Sequence, residues 1–204
     1  MQATPPTTPD KPFDFADLEA RIIAASQQAF EDVRQAHPKE QICAFSLYSD
    51  DGAMTVCPAF DLASRRAARI AKYPDEADYN TFGTAEWALE AFGARKAFTD
   101  ICTTVRTFVL NVDHPYQGLG SWGENPGATG FASFKTQLFE TCQLALEKLR
   151  SNGTFDAYPN LLVMFAVSDD GDQDPATELR MLERHNGASP YVEQYRRWSK
   201  TWAE

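Results

Sequence analysis

Between residues 15 and 33 apolar side chains recur every three or four positions, with Leu18, Ile22, Ala25, Ala29 and Val33 on one stripe. That period predicts an amphipathic helix, which Asp14 can cap and Pro38 must end. The next stretch, Ile42-Cys43-Ala44-Phe45-Ser46-Leu47-Tyr48, is almost unbroken in apolar and β-prone residues and runs into Ser49-Asp50-Asp51-Gly52. The same tetrapeptide closes a second such run, Leu161 to Val167, at Ser168 to Gly171. A strand entering an Asp/Gly turn is how an antiparallel sheet reverses, so both segments are expected at the centre of the fold. Ala53 to Cys57 reads as the return strand of a hairpin, with Pro58 keeping it short or at an edge.

The helical period then returns. Asp61 can cap a short helix whose Arg65, Arg69 and Lys72 share a face, with Arg66 beside them and Ala63, Ala67 and Ile70 opposite. Thr84 can open a helical turn, and Phe98, Ile101, Cys102, Val105 and Val109 predict a helix over 96–110. A longer one is expected over 131–150, with Phe134, Leu138, Cys142, Ala145 and Leu149 inward and Ser151-Asn152-Gly153 as its stop. Asp174, Pro175 and Gly187 frame a helix over 175–186. In the last segment, 190–202, Tyr191, Tyr195, Trp198 and Trp202 fall on one helical face as an aromatic ridge. Together these elements predict an α+β fold, a mainly antiparallel sheet packed by several helices in one domain over 13–204. Residues 1–12 hold four prolines and no apolar run, and are expected to be a disordered tail rather than a signal peptide or membrane anchor.

Composition narrows the function classes. The chain has 204 residues, enough for a sizeable core without staples, and a net charge of −10 from 19 Lys and Arg against 29 Asp and Glu. Nucleic acid is thereby disfavoured as a ligand, and no membrane role is expected. Cys43, Cys57, Cys102 and Cys142 are far apart with no CxxC pair, which reads as four reduced thiols in a cytoplasmic protein.

Candidate chemistry is sparse. Residues 111–130 contain five glycines and two prolines without periodicity, a long loop of the kind that carries function. Its Gly118-Leu119-Gly120-Ser121-Trp122-Gly123 is a literal GxGxxG, but Pro115 and Pro126 interrupt the strand and helix that a dinucleotide site needs. Position 119 is Leu, so Ser121 does not fit a hydrolase elbow. His37 and His114 each precede a proline, and His185 sits in the last turn of its helix, where a protonated imidazole suits the dipole. No histidine spacing supports zinc. Asp169, Asp170, Asp172 and Asp174 around Gly171 fail as a calcium loop, since the twelfth position from Asp169 is Arg180, and turn and cap roles account for them. No metal or cofactor is expected.

The opening helix before Ile42 to Tyr48, the Ala85-Glu86-Trp87 segment, the helix reaching Leu149 and Gly153-Thr154-Phe155, and the closing Leu182 to Asn186 resemble a bacterial family, the domain of unknown function numbered 4303. The resemblance covers about 13–198 and implies no catalytic residues. The basic helix over 61–73 and the glycine-rich loop depart from the family's pattern. The expected role is a non-enzymatic, cytosolic, partner-binding protein, of immunity type by analogy with small acidic bacterial proteins. It would use an acidic patch at Asp75, Glu76 and Asp78 and an aromatic one at Tyr195, Arg196, Arg197, Trp198 and Trp202. The alternative is a hydrolase-like enzyme built on the loop, with His114 as base and Asp113 or Ser121 assisting. An anion sensor using Arg65, Arg66 and Arg69 is the third reading.

Overall fold

The first helix begins where the Asp14 carboxylate accepts a hydrogen bond from the Asp17 N–H at 2.9 Å, satisfying one of the unpaired donors of the first turn. This helix, α1 (Phe15–Ala36), buries the stripe at Leu18, Ile22, Ala25, Ala29 and Val33. In the computed structural model, which describes residues 13–110, 128–158, 160–168 and 174–203, the remaining elements follow in order. They are β1 (Ile42–Asp50), β2 (Cys57–Leu62), α2 (Ala63–Lys72), α3 (Ala77–Phe82), β3 (Leu89–Glu90), α4 (Arg95–Leu110), α5 (Ala128–Ser151), β4 (Leu162–Ser168), α6 (Pro175–Asn186) and α7 (Pro190–Trp198). The tail at 1–12, the loop residues 111–127 and Asp169, Asp170 and Asp172 lie outside the described residues.

The fold is α+β, as the alternation of periods predicts. Its sheet has the order β3-β2-β1-β4. β1 pairs antiparallel with β2, and β2 antiparallel with β3. β4 instead lies parallel to β1 in unbroken register from Ala44↔Leu162 to Asp50↔Ser168. The two apolar strands therefore do not form one antiparallel ladder; they end side by side at the same end of the sheet, Asp50 beside Ser168. A parallel neighbour needs a long crossover, and the chain from β2 through α5 supplies it.

The return strand also begins later than the turn chemistry suggests. Ala53 takes a left-handed φ of 52°, and pairing starts only at Cys57, opposite Tyr48. Pro58 thus sits inside β2, and Asp61 is a strand residue rather than a cap; α2 starts at Ala63 behind Leu62, with no side-chain cap.

Alternation along the strands divides the core. Phe45, Leu47, Phe60, Leu62, Val163 and Phe165 face α1, α4 and α5. Phe30 of α1 packs its ring 4.8 Å from Phe45 and 4.9 Å from Phe60, and Phe45 and Phe60 are 4.9 Å apart, tilted or edge-on as aromatic quadrupoles prefer. Ala44, Ala59 and Leu162 face the other way, toward Phe82, Trp87, Leu182, Val192 and Tyr195 from α3, α6, α7 and the segment before β3. One glycine is fixed by close approach: at Gly93 φ is +84°, and a Cβ there would lie 2.7 Å from Cα of Ala29. The neighbouring Ala94 N–H donates to the Asp32 carboxylate at 2.7 Å, clamping this turn to α1.

Candidate functional site

Two polar assemblies stand out on the second face of the sheet. The first centres on Asp61, which is fully buried. Its Oδ2 accepts from Arg66 Nε and Arg69 Nη2, each at 2.7 Å, and its Oδ1 accepts from the backbone N–H of Leu62 at 3.1 Å and of Ala88 at 3.3 Å. Arg66 is only 7% exposed, and its guanidinium lies 6.0 Å from the Trp87 ring and 5.9 Å from the Tyr191 ring. The Trp87 indole N–H donates to the Thr81 carbonyl at 3.1 Å, and the Asn80 carbonyl accepts from Arg69 Nη2 at 3.4 Å. A carboxylate this deep is tolerable only with such partners.

This arrangement inverts the expected face of α2. Arg66 and Arg69 turn inward onto Asp61 while Ala67 is exposed, so of the three proposed anion-binding arginines only Arg65 stands in solvent. The basic spacing therefore marks the helix face that docks on β2. The physical reason is the late start of α2, which leaves Asp61 as an uncompensated charge in the sheet for that face to neutralise.

The second assembly is a cleft of about 740 Å³ bounded by α3, the exposed side of β4, α6 and the end of α7. Its aromatic wall comes from α3 and α7. Phe82 and Trp198 stack at 5.7 Å and 17°, Trp198 meets Trp202 edge-on at 4.7 Å, and Tyr195 meets Phe82 edge-on at 5.1 Å. Tyr79, Met164 and Met181 extend this apolar lining. Asp174 and Glu178 project from the first turns of α6, and no Lys or Arg is among the lining residues described.

Asp174 caps α6, accepting from the N–H groups of Ala176 at 3.2 Å and Thr177 at 3.1 Å. With the Thr177 hydroxyl and these donors around it, its carboxyl is held below the usual carboxylate range and remains charged. The Tyr195 phenol donates to Glu178; burial, and then that carboxylate, push the phenol well above its ordinary range, so it stays a donor.

The floor of the cleft is the outer edge of the sheet. Val163 directs both backbone groups away from β1, and the Asn186 amide bonds both, accepting from the N–H at 2.9 Å and donating to the carbonyl at 2.7 Å. A side chain thus pairs the strand at that one residue. Backbone groups alternate sides along a strand, so Phe165 and Val167 direct theirs the same way, and no partner for them occurs among the described residues.

The structure merges patches that the sequence kept apart. Asp78 on α3 accepts from Gln194 Nε2 on α7 at 2.8 Å, so the acidic segment abuts the aromatic ridge. Asp75 and Glu76 occupy an exposed 3₁₀ turn before α3. Along the ridge Tyr195 is buried, Trp198 half-buried and Trp202 39% exposed, in a 3₁₀ turn (Ser199–Ala203) that prolongs α7. Arg196 is held by Glu193 and by Glu183 at 2.6 Å, while Arg197 is exposed. His114, Asp113 and Ser121 lie outside the described residues. Glu178, Phe82 and Met164 were not singled out from sequence. Their helix and strand were legible, but the meeting of α3 with α6 and α7 has no local signature.

His185 is another departure. It is 2% exposed rather than a solvent-facing cap, with neither ring nitrogen hydrogen-bonded among the described residues. Burial, and then the nearby Arg184 charge, lower its pKa to about 4, so the ring is neutral at pH 7.

The model of the family described as Domain of unknown function (DUF4303) matches residues 22–187. The chain belongs to that family. The match spans the sheet, the Asp61 assembly and most of the DUF4303 cleft, and stops before the aromatic side chains of α7. No curated protein and no solved structure matches the chain. Among the described residues of this DUF4303 protein, no three His, Cys, Asp or Glu side chains gather as a metal site, and no helix is long and apolar enough to cross a membrane.

Proposed function

We propose that this DUF4303 protein is a non-enzymatic binding protein that takes an extended, basic segment of a protein partner into the cleft between β4, α6 and α7. The observation that carries the reading is the composition of that cleft: stacked aromatic rings and two carboxylates, with no Lys or Arg lining it among the described residues. Aromatic faces and carboxylates together attract Lys and Arg side chains, by cation–π contact and by charge-assisted hydrogen bonds. The molecule already contains such a combination, since Arg66 sits between the Trp87 and Tyr191 rings with its Nε on Asp61. The backbone groups of Phe165 and Val167, for which no partner occurs among the described residues, suit an extended chain, which gains affinity by adding a strand while its alternate side chains reach the pocket. A net charge of −10 adds long-range attraction for a basic partner.

The test is a fluorescence titration of the full chain against an array of extended peptides of eight to ten residues, basic and neutral. Saturable binding confined to basic peptides, weakened by Trp202→Ala and by Glu178→Gln, supports the reading. Equal binding of neutral peptides, or binding untouched by both substitutions, overturns it.

A further inference from the structure

Away from the cleft, at the junction of β2 and α4, the sulfurs of Cys57 and Cys102 lie 3.8 Å apart. Neither residue is fully buried, and both are free thiols, as are Cys43 and Cys142. Cys102 Sγ accepts from the Val56 backbone N–H at 3.4 Å, and when protonated it donates to the Val56 carbonyl at 3.3 Å. Arg106 stands one turn further along α4. Cys57 faces Tyr48 across the strand pair, and the Tyr48 hydroxyl donates to Glu90 at 3.0 Å.

We propose that Cys57 and Cys102 form a hydroperoxide-reactive dithiol, with Cys102 as the attacking sulfur and Cys57 as the resolving one. The geometry divides the roles. Cys102 has a backbone amide, the Cys57 thiol and a nearby guanidinium to hold a thiolate, whereas Cys57 has the carboxylate of Glu90 on its side. In keeping with this, hydrogen bonding from Cys57, followed by the Val56 amide and Arg106, lowers the Cys102 thiol to about 6 against its burial. The same contact and burial raise Cys57. A partly exposed thiolate beside a second thiol is the arrangement in which oxidation stops at the disulfide.

The chemistry balances with the hydroperoxide as the only oxidant. The Cys102 thiolate attacks the distal peroxide oxygen; the O–O bond breaks, and the departing oxygen leaves with a proton as water or alcohol. Cys102 is then a sulfenic acid. Cys57 attacks its sulfur, an S–S bond forms, the S–O bond breaks, and the hydroxyl leaves as water with the Cys57 proton. Two thiols and one hydroperoxide become one disulfide, one water and one water or alcohol. The sulfurs must approach by about 1.8 Å to reach the bond length of about 2.05 Å. The product links β2 to α4.

The full-chain protein, reduced and then exposed to one equivalent of hydrogen peroxide at pH 7, is read by thiol counting and by non-reducing peptide mapping. The expected result is loss of two of the four thiols, one peptide joining Cys57 to Cys102, and Cys43 and Cys142 unmodified. Cys57→Ser should instead trap a sulfenic acid on Cys102, captured by a dimedone probe, and Cys102→Ser should slow peroxide consumption by at least about tenfold. Should a serine variant fail to fold, the wild-type peptide map and the dependence of its rate on the thiolate fraction between pH 5 and 8 decide alone. Retention of all four thiols, a sulfenic acid on Cys57, or a rate insensitive to pH over that range overturns the proposal.

Discussion

Asp61 and Glu178 lie on the same side of the sheet, each among aromatic rings, yet the chain surrounds them differently. Asp61 receives two arginines and two backbone amides in the interior and is sealed beneath Trp87 and Tyr191. Glu178 receives the Tyr195 phenol at the wall of an open cleft, which no described Lys or Arg lines. One combination of carboxylate and rings is spent on holding α2 against β2. The other lines the cleft, half-buried, next to a strand edge where Phe165 and Val167 have no backbone partner among the described residues. The contrast shows that clustered charge in this sequence marks a docking seam where arginines are drawn into the interior, and a candidate binding surface where the nearest cation, Arg180 at 3.9 Å from Asp174, is exposed and lies outside the cleft lining.

Breaking the sealed assembly should have the largest effect. Asp61→Ala leaves the buried Arg66 and the half-buried Arg69 without their counter-charge and is expected to cost about 3–5 kcal/mol, read as a lowered urea midpoint at unchanged slope. A loss below about 1 kcal/mol would mean that the arginines relax to solvent and that the seal is not structural.

The intermediate effect comes from α6 itself, whose first turn serves the cleft while its last turn is buried. His185 there faces Arg184 on its own helix and Glu140, Glu147 and Arg150 on α5, where Glu140 and Glu147 pair with Arg184 at 2.7 and 2.5 Å. The folded protein holds this imidazole at about 4 against the ordinary 6.5, so the unfolded chain binds more protons between those values. Its contribution is fully present above pH 6.5 and is lost as the pH falls toward 4. Between pH 7.5 and 5 the stability should drop by about 2 kcal/mol from this residue, a slope that His185→Leu should remove. If the wild-type and variant curves remain parallel, the ring is not held neutral in the interior.

The smallest effect on stability, and the largest on binding, is expected at the open cleft. Trp202→Ala and Glu178→Gln should each change unfolding free energy by less than about 1 kcal/mol, because neither residue sits in the sealed core. Each should weaken a basic peptide by about tenfold. A large stability loss from either would make the cleft a second structural seam.

Legibility in the sequence followed the range of the interactions. The ends of α6, with Asp174 as cap, Pro175 in the first turn and Gly187 beyond the last, are set by contacts within a few residues and were readable, as were α1, α4 and α5 from their stripes. The parallel seating of β4 was not, because an apolar run reads alike in either direction and the pairing depends on a crossover of about a hundred residues. Asp61 misled for a related reason. An Asp two residues before a helical period looks like a cap, and only its burial shows that Arg66 and Arg69 are its partners. The cleft was half legible: the aromatic ridge and the acidic segment were both visible, but Gln194 to Asp78, one of the contacts that join their helices, spans 116 residues.

The most direct test follows tryptophan indole N–H resonances while an extended arginine-bearing peptide, and then its neutral glutamine counterpart, is titrated into the protein. Saturable shifts are expected for Trp198 and Trp202 with the basic peptide alone, and none for Trp87, whose indole is committed to the Thr81 carbonyl. Shifts of equal size with the neutral peptide, or none with either at millimolar concentration, would contradict binding of a basic segment in the cleft.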